Sequence, residues 1–160
     1  MIFNSKLASP IGDLVIEAND REVYFIGFPE NIPDEASNSL SELAKEQFRQ
    51  YFEGKRQHFD FPMSQLGTDF QQQVWKELKT IDAGKPISYT ALSKKMKNPL
   101  AIRAIASANG KNKLMIAVPC HRVIGSNGDL VGFSAGLWRK KWLLEHEAKM
   151  MGIGQSKLTL

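Results

Sequence analysis

Cysteine is all but missing from the chain, since of 160 residues only Cys120 carries a thiol. An intramolecular disulfide is thereby excluded. With His58, His121 and His146 as the only imidazoles, no zinc cluster at ligand spacing can be written either. No run of 18 apolar residues is present, which excludes a membrane-crossing helix. Met1 to Pro10 lack the basic region, long apolar core and small-residue cleavage site of a secretory leader, so the expectation is a cytoplasmic protein with no membrane role. Internal repeats and low-complexity tracts are missing too. What remains, 42% hydrophobic and 24% charged residues, suffices for a buried core in one domain or two small ones.

Acid is what the second half lacks. Residues 1–80 carry 8 basic and 13 acidic side chains, a balance of −5, whereas residues 81–160 carry 13 and 4, a balance of +9. Only the second half is suited to meet a polyanion.

Along the first sixty residues, apolar and polar positions alternate between turn signals. Met1 to Ala8, Leu14 to Ile16 and Val23 to Ile26 are separated by Ser9-Pro10-Ile11-Gly12 and Asn19-Asp20, which predicts a short antiparallel meander. Leu40, Leu43, Ala44, Phe48, Tyr51 and Phe52 then recur at helical spacing as far as the stop signal Gly54, giving one amphipathic helix to cover the sheet. His58 to Phe61 offers a last strand, and Pro62 to Gly67 reads as a linker. The spacing thus places one domain at 1–66, a second at 67–150 and a loose tail at 151–160.

Beyond the linker the pattern turns helical. Thr68 caps a segment bearing Phe70, Val74, Trp75 and Leu78, and Ser88 caps a second over Thr90 to Met96. Asn98-Pro99 ends that one and starts a third, Pro99 to Ala108, because proline suits a first helical turn. Two short helices joined tightly, with Lys94, Lys95 and Lys97 on the first and Arg103 on the second, fit a helix-turn-helix; a small bundle with a solvated basic face fits equally well. Leu114 to Val118 is a strand-like apolar run, Ser126 to Asp129 a turn, and Gly136 to Ala148 a last helix.

A lone cysteine is most often an inert small hydrophobe. Cys120, however, follows an apolar run and a proline, and His121 and Arg122 set polarisable or positive groups beside it, surroundings that favour the nucleophilic thiolate. Side chains at consecutive positions diverge, so His121 would reach the thiol through a water rather than directly. Glu147 in the last helix is the best group to orient that histidine, with a surface charge as the plain alternative.

Pro119-Cys120-His121-Arg122-Val123-Ile124-Gly125 resembles the active-site motif of the O6-alkylguanine-DNA alkyltransferases, the methylated-DNA–protein-cysteine methyltransferases. The likeness runs through Ser88-Tyr89, Asn98-Pro99, Arg103, Asn112, Ser134, Gly136, Lys140 and Glu147, and more loosely over the N-terminal half. It implies an α/β protein, with a small N-terminal antiparallel sheet and helix of ribonuclease-H-like type before a mainly helical domain with a winged helix-turn-helix. The implied partner is alkylated double-stranded DNA, bound by a monomer that uses neither cofactor nor metal.

Carried over residue by residue, the resemblance makes Cys120 the alkyl acceptor, His121 its base through a bound water, Glu147 the group orienting His121, and Asn112 the support of the active-site turn. Arg103 would fill the stack vacated by a flipped nucleotide, and Tyr89 would turn that nucleotide and touch its base. Arg122, Val123, Phe133 and Ser134 complete the DNA-binding and pocket set, with the main-chain carbonyls of Cys120 and Val123 accepting from the guanine amino group and the Ser134 loop donating to O6. The substrates implied are O6-alkylguanine and O4-alkylthymine.

This chain departs from many relatives at Phe133-Ser134-Ala135-Gly136, where they have tyrosine, one residue and two glycines. The change removes a phenol and adds a methyl group at Ala135. Lys113 follows Asn112 where proline is frequent, and the zinc ligands of some relatives are absent. Three rivals stand beside this reading. Alkyltransferase-like proteins bind damage without repairing it but have another residue in place of the cysteine, a cysteine hydrolase would need a separately placed histidine, and a transcription factor would need neither His121 nor Glu147.

Overall fold

The computed structural model describes residues 1–152 and divides into two units, Met1–Leu66 with Lys113–Ala117, and Gly67–Asn112 with Val118 onward. Lys113–Ala117, which the sequence places in the second domain, thus folds with the first. Most of the predicted tail lies outside the described residues.

In the first unit β1 (Phe3–Ser9), β2 (Gly12–Ala18) and β3 (Val23–Gly27) form the predicted antiparallel meander in the order β1-β2-β3. Register runs from Phe3 opposite Ala18 to Ser9 opposite Gly12, leaving Pro10-Ile11 as the turn. Asn19 makes the next turn by accepting from the backbone N–H groups of Arg21 and Glu22 at 2.8 and 2.9 Å, the local chemistry that suits asparagine to turns. β2 lies between its neighbours, and Leu14, Val15, Ile16 and Ala18 are all buried.

Helix α1 (Ser39–Phe52) starts on a capping box, Asn38 accepting from Ser41 N–H and Ser41 returning the bond. It buries Ala44, Phe48 and Tyr51, but Leu43, read from the spacing as a core position, is 46% exposed. His58–Phe61 forms no strand. Phe59 and Phe61 leave the extended path to pack on Phe48, with ring centroids 4.5 and 6.1 Å away, and Gln47 fastens the segment through Asp60. The edge of β3 is instead bridged by Met63 and, near its other end, by Leu114.

Leu114–Val118 is buried as its composition requires, yet it is not a regular strand. Ile116 has φ +73°, and Ala117 N–H bonds Met115 O at 2.8 Å across it, closing a three-residue turn. A β-branched residue with positive φ is a strained exception that hydropathy does not reveal.

In the second unit α2 (Asp69–Leu78) starts on the predicted Thr68 cap, here a reciprocal box with Gln71, and buries Val74, Trp75 and Leu78. Trp75 Nε1 donates to Ala108 O at 2.9 Å, tying α2 to α4. Gly67 is needed beside that ring, because a Cβ there would lie 2.5 Å from Trp75 Cη2. Helix α3 (Tyr89–Lys95) starts on Ser88.

Helix α4 (Ile102–Gly110) begins three residues later than predicted. Asn98 to Ala101 forms a turn closed by Ala101 N–H on Asn98 O at 3.1 Å, so Pro99 sits in that turn and not in the helix. β4 (Ile87–Ser88) pairs in parallel with β5 (Val123–Ile124), a 3₁₀ turn spans Cys120–Arg122, and α5 covers Leu137–Met150.

Candidate active site

A cavity of about 420 Å³ opens within the second unit. It is lined by Tyr89 at the start of α3, Ala106, Asn109 and Gly110 of α4, Cys120, and the loop Val131–Ser134. Four expected residues therefore meet here: Tyr89, Cys120, Phe133 and Ser134. Gly136 ends the loop at φ +97°, a left-handed conformation that favours glycine.

Cys120 is placed by two short constraints. Its N–H bonds Val118 O at 2.8 Å across Pro119, and Asn112 Nδ2 donates to the same Val118 carbonyl at 2.8 Å. Asn112 thus sits at the active-site turn. Burial raises the pKa of the thiol, while a side-chain hydrogen bond from Asn112 and the charge of Lys140 work in the opposite direction. The thiol needs help to ionise.

His121 does not line the cavity and is fully buried, with Nε2 2.7 Å from Glu147 Oε2. Arg122 holds the same carboxylate in a two-pronged grip, Nε to Oε1 at 2.8 Å and Nη2 to Oε2 at 3.0 Å, and gives its third bond to Ile81 O at 2.6 Å. Burial opposes the charge on Glu147, but its partners outweigh this and hold the carboxyl well below the usual range. Burial also lowers the pKa of His121, with Glu147 opposing. The two directions agree when Glu147 is ionised by Arg122 and His121 is neutral. A carboxylate only accepts, so Nε2 carries the imidazole hydrogen, and Nδ1 presents a lone pair with no hydrogen-bond partner among the described residues.

Two residues expected in the DNA-binding and pocket set are buried outside the cavity lining. Arg122, expected in the DNA and base-pocket set, is 5% exposed and spends its guanidinium on Glu147 and Ile81; it braces the charge pair. Val123 is fully buried and does not line the cavity, and its carbonyl, expected to receive the guanine amino group, accepts from Lys140 Nζ at 2.7 Å. Arg103 is exposed on the first turn of α4 and is not part of the cavity wall.

Two buried residues had not been singled out for a role. Lys140 is fully buried, donates to Val123 O and Val131 O at 2.7 and 2.9 Å, and has its pKa lowered by burial to about 8. It staples the cavity loop to the strand that follows the nucleophile. A signal was available, since Lys140 and Glu147 stand seven residues apart on the stripe that carries Leu143 and Leu144, where two charges are out of place. Asn109 holds the corresponding position in α4, on the stripe of Ile105 and Ala108.

Residues 69–149 match the family model described as 6-O-methylguanine DNA methyltransferase, DNA binding domain, and residues 2–65 match the ribonuclease-like domain of the same proteins. The chain belongs to the 6-O-methylguanine DNA methyltransferase family. The methylated-DNA–protein-cysteine methyltransferase of Methanosarcina acetivorans is 36% identical over 146 residues, 87% of this chain and 94% of that one. That of Shigella flexneri is 44% identical over 107 residues, 66% of this chain and 63% of its own length.

The O6-methylguanine methyltransferase of Mycobacterium tuberculosis shares the fold with a TM-score of 0.84 at 36% identity over 94% of both chains. A structure of that organism's OGT in complex with DNA gives 0.84 at 36%, covering 92% of this chain and 94% of the other. The α/β architecture of a ribonuclease-like domain followed by a DNA-binding domain is therefore that of the family.

Proposed function

We propose that this chain repairs O6-alkylguanine, and O4-alkylthymine, in double-stranded DNA by moving the alkyl group irreversibly onto Cys120, acting as a cytoplasmic monomer. The observation that carries the reading is the series behind the cavity: Cys120 on its wall, His121 next in the chain with a free Nδ1 lone pair, and Glu147 fixing the opposite nitrogen. A water between thiol and Nδ1 passes the proton to His121, and the imidazolium formed is stabilised by the Glu147 carboxylate. The sulfur then attacks the alkyl carbon, the carbon–oxygen bond breaks, and its electron pair goes to the base oxygen.

Duplex DNA hides the O6 substituent from in-line attack, so the nucleotide must leave the stack. Tyr89 on the wall and the Phe133-Ser134 loop receive it, and Arg103, exposed at the start of α4, is free to enter the gap. The +9 balance of residues 81–160 supplies attraction to phosphate. The relatives' names and the DNA complex of the Mycobacterium tuberculosis protein support the same reaction here.

A thioether is neither reducible by thiol exchange nor hydrolysed like an acyl ester, and the chain has no second cysteine to receive the group. Each molecule works once. Titration with excess O6-methylguanine oligonucleotide should reach a plateau at one equivalent, with the added mass on the peptide containing Cys120. Turnover past the plateau would refute transfer and favour a hydrolase.

A further inference from the structure

Asn109 lines the cavity together with Tyr89 and Cys120, and the proposed function gives it no task. It is 4% exposed, and its Nδ2 lies 3.0 Å from Tyr89 Oη and 3.2 Å from the carbonyl oxygen of Cys120. A carbonyl only accepts, so the group facing Cys120 O must be the amide nitrogen, which settles which way round the side chain lies. Both hydrogens of that nitrogen are then used, one on the nucleophile's carbonyl and one on the tyrosine oxygen. Oδ1, at the other end, is buried without a hydrogen-bond partner among the described residues.

This arrangement costs stability. An unpaired buried carbonyl is penalised, and asparagine is a poorer helix former than leucine, so an apolar side chain at this point of α4 would fold more favourably. A residue that burdens the fold while reaching both a cavity tyrosine and the nucleophile has the mark of a functional position.

We infer that Asn109 is a positioning residue that makes Tyr89 a hydrogen-bond donor to the extruded base. Because Tyr89 Oη accepts from Asn109, its own O–H hydrogen is left to turn toward the cavity that Tyr89 lines. An O6-alkylated guanine presents ring nitrogens that only accept. As the alkyl group departs, electron density builds on the base, and a hydrogen bond to a ring nitrogen strengthens in the transition state. The inference rests on the alkyl-transfer reading and adds to it the side chain that sets the direction of the tyrosine proton.

The test is a double-mutant cycle on the full chain, read as single-turnover alkyl transfer from O6-methylguanine duplex, with variants N109L, Y89F and N109L/Y89F. N109L should slow transfer about tenfold, the worth of one well-aligned hydrogen bond. In the Y89F background, which has no proton to direct, the same replacement should cost nothing further. The thermal midpoint of N109L should stay level or rise, and its rate of carbamidomethylation by iodoacetamide should match the parent, as a purely structural role would not allow. With substrates in which one ring nitrogen at a time is replaced by C–H, the N109L penalty should vanish for one of them. An equal penalty with and without the Tyr89 hydroxyl, or no penalty at all, would overturn the inference. Failure of the unsubstituted chain to gain alkyl mass would instead overturn the proposed function, and the two failures are therefore separable.

Discussion

At Glu147 one buried carboxylate receives three hydrogen bonds, from Arg122 Nε, Arg122 Nη2 and His121. Arg122 supplies the charge that keeps the acid ionised, which leaves His121 neutral with a basic Nδ1. His121→Gln keeps a donor for Glu147 but removes that base. Transfer should slow by about 10²-fold or more, the usual worth of a general base, and the apparent pKa of Cys120 should rise while binding of damaged DNA is retained. A thiol titration identical to the parent's would sink the relay.

The same variant tests the protonation state. The folded state lowers the pKa of His121 and so favours the neutral ring. That stability is fully present above the ordinary value of about 6.5 and is lost as pH falls below it. The lowered pKa of Glu147 contributes stability above the usual carboxylate range, which disappears only in stronger acid. Thermal midpoints should therefore begin to fall between pH 6.5 and 5 in the parent and stay level there in His121→Gln. An equal decline in both would show that His121 is not held neutral.

Two helix starts were legible from the side chain that caps them, while the Asn38 cap of α1 was not singled out. Thr68 and Ser88 fix the starts of α2 and α3 within a residue of the reading, because an oxygen at that position answers N–H groups that the helix itself leaves free. The start of α4 was not legible, since Pro99 suits a turn as well as a first helical position and Ala101, the residue before the helix, makes no side-chain cap. His58–Phe61 and Leu114–Val118 look like strands in hydropathy alone. What decides each is a contact distant in sequence or a backbone angle: Phe59 against Phe48, and the positive φ of Ile116. In the site, the consecutive motif around Cys120 was legible, while Lys140 and Asn109 depend on which helix face is buried.

The turn between α3 and α4 shows the same limit and offers a test. Lys97 N–H bonds Lys94 O at 3.0 Å, Asn98 N–H bonds Ser93 O at 2.9 Å, and Lys97 has φ +57°. This is the paired-bond helix ending in which glycine ordinarily holds the left-handed position. Lys97→Gly relieves that strain and should stabilise the chain by about 1 kcal/mol, read as a higher denaturant midpoint at unchanged slope. Arg103→Ala, on the exposed first turn of α4, should leave the midpoint within about 0.5 kcal/mol. It should slow repair in duplex DNA more than alkyl transfer from the free base, because only the duplex reaction includes extrusion. Equal losses on both substrates would give Arg103 a pocket role.

Across the whole chain, charge divides in the same sense as the two units but not at the same residues. Lys113–Ala117 leaves the second half of the sequence to join the first unit, so counting charge by position places Lys113 with the basic half although it folds with the acidic unit. The basic side chains of α3 differ as well. Lys95 Nζ bonds Thr80 Oγ1 at 3.1 Å and lies 3.6 Å from Glu77, whereas Lys94, also exposed, makes no such contact among the described residues. A lysine that touches phosphate releases condensed counterions, and each such contact contributes about 0.9 to the slope of log affinity against log salt. Lys94→Ala should therefore lower the slope by about that amount and weaken matched and unmatched duplexes alike, since a phosphate contact reads no sequence. Lys6→Ala, an equal change of charge at an exposed position in the first unit, should leave the slope unaltered. Titrations from 50 to 200 mM salt with both variants separate a phosphate contact on α3 from an effect of net charge, and equal slopes for the two would leave only the latter.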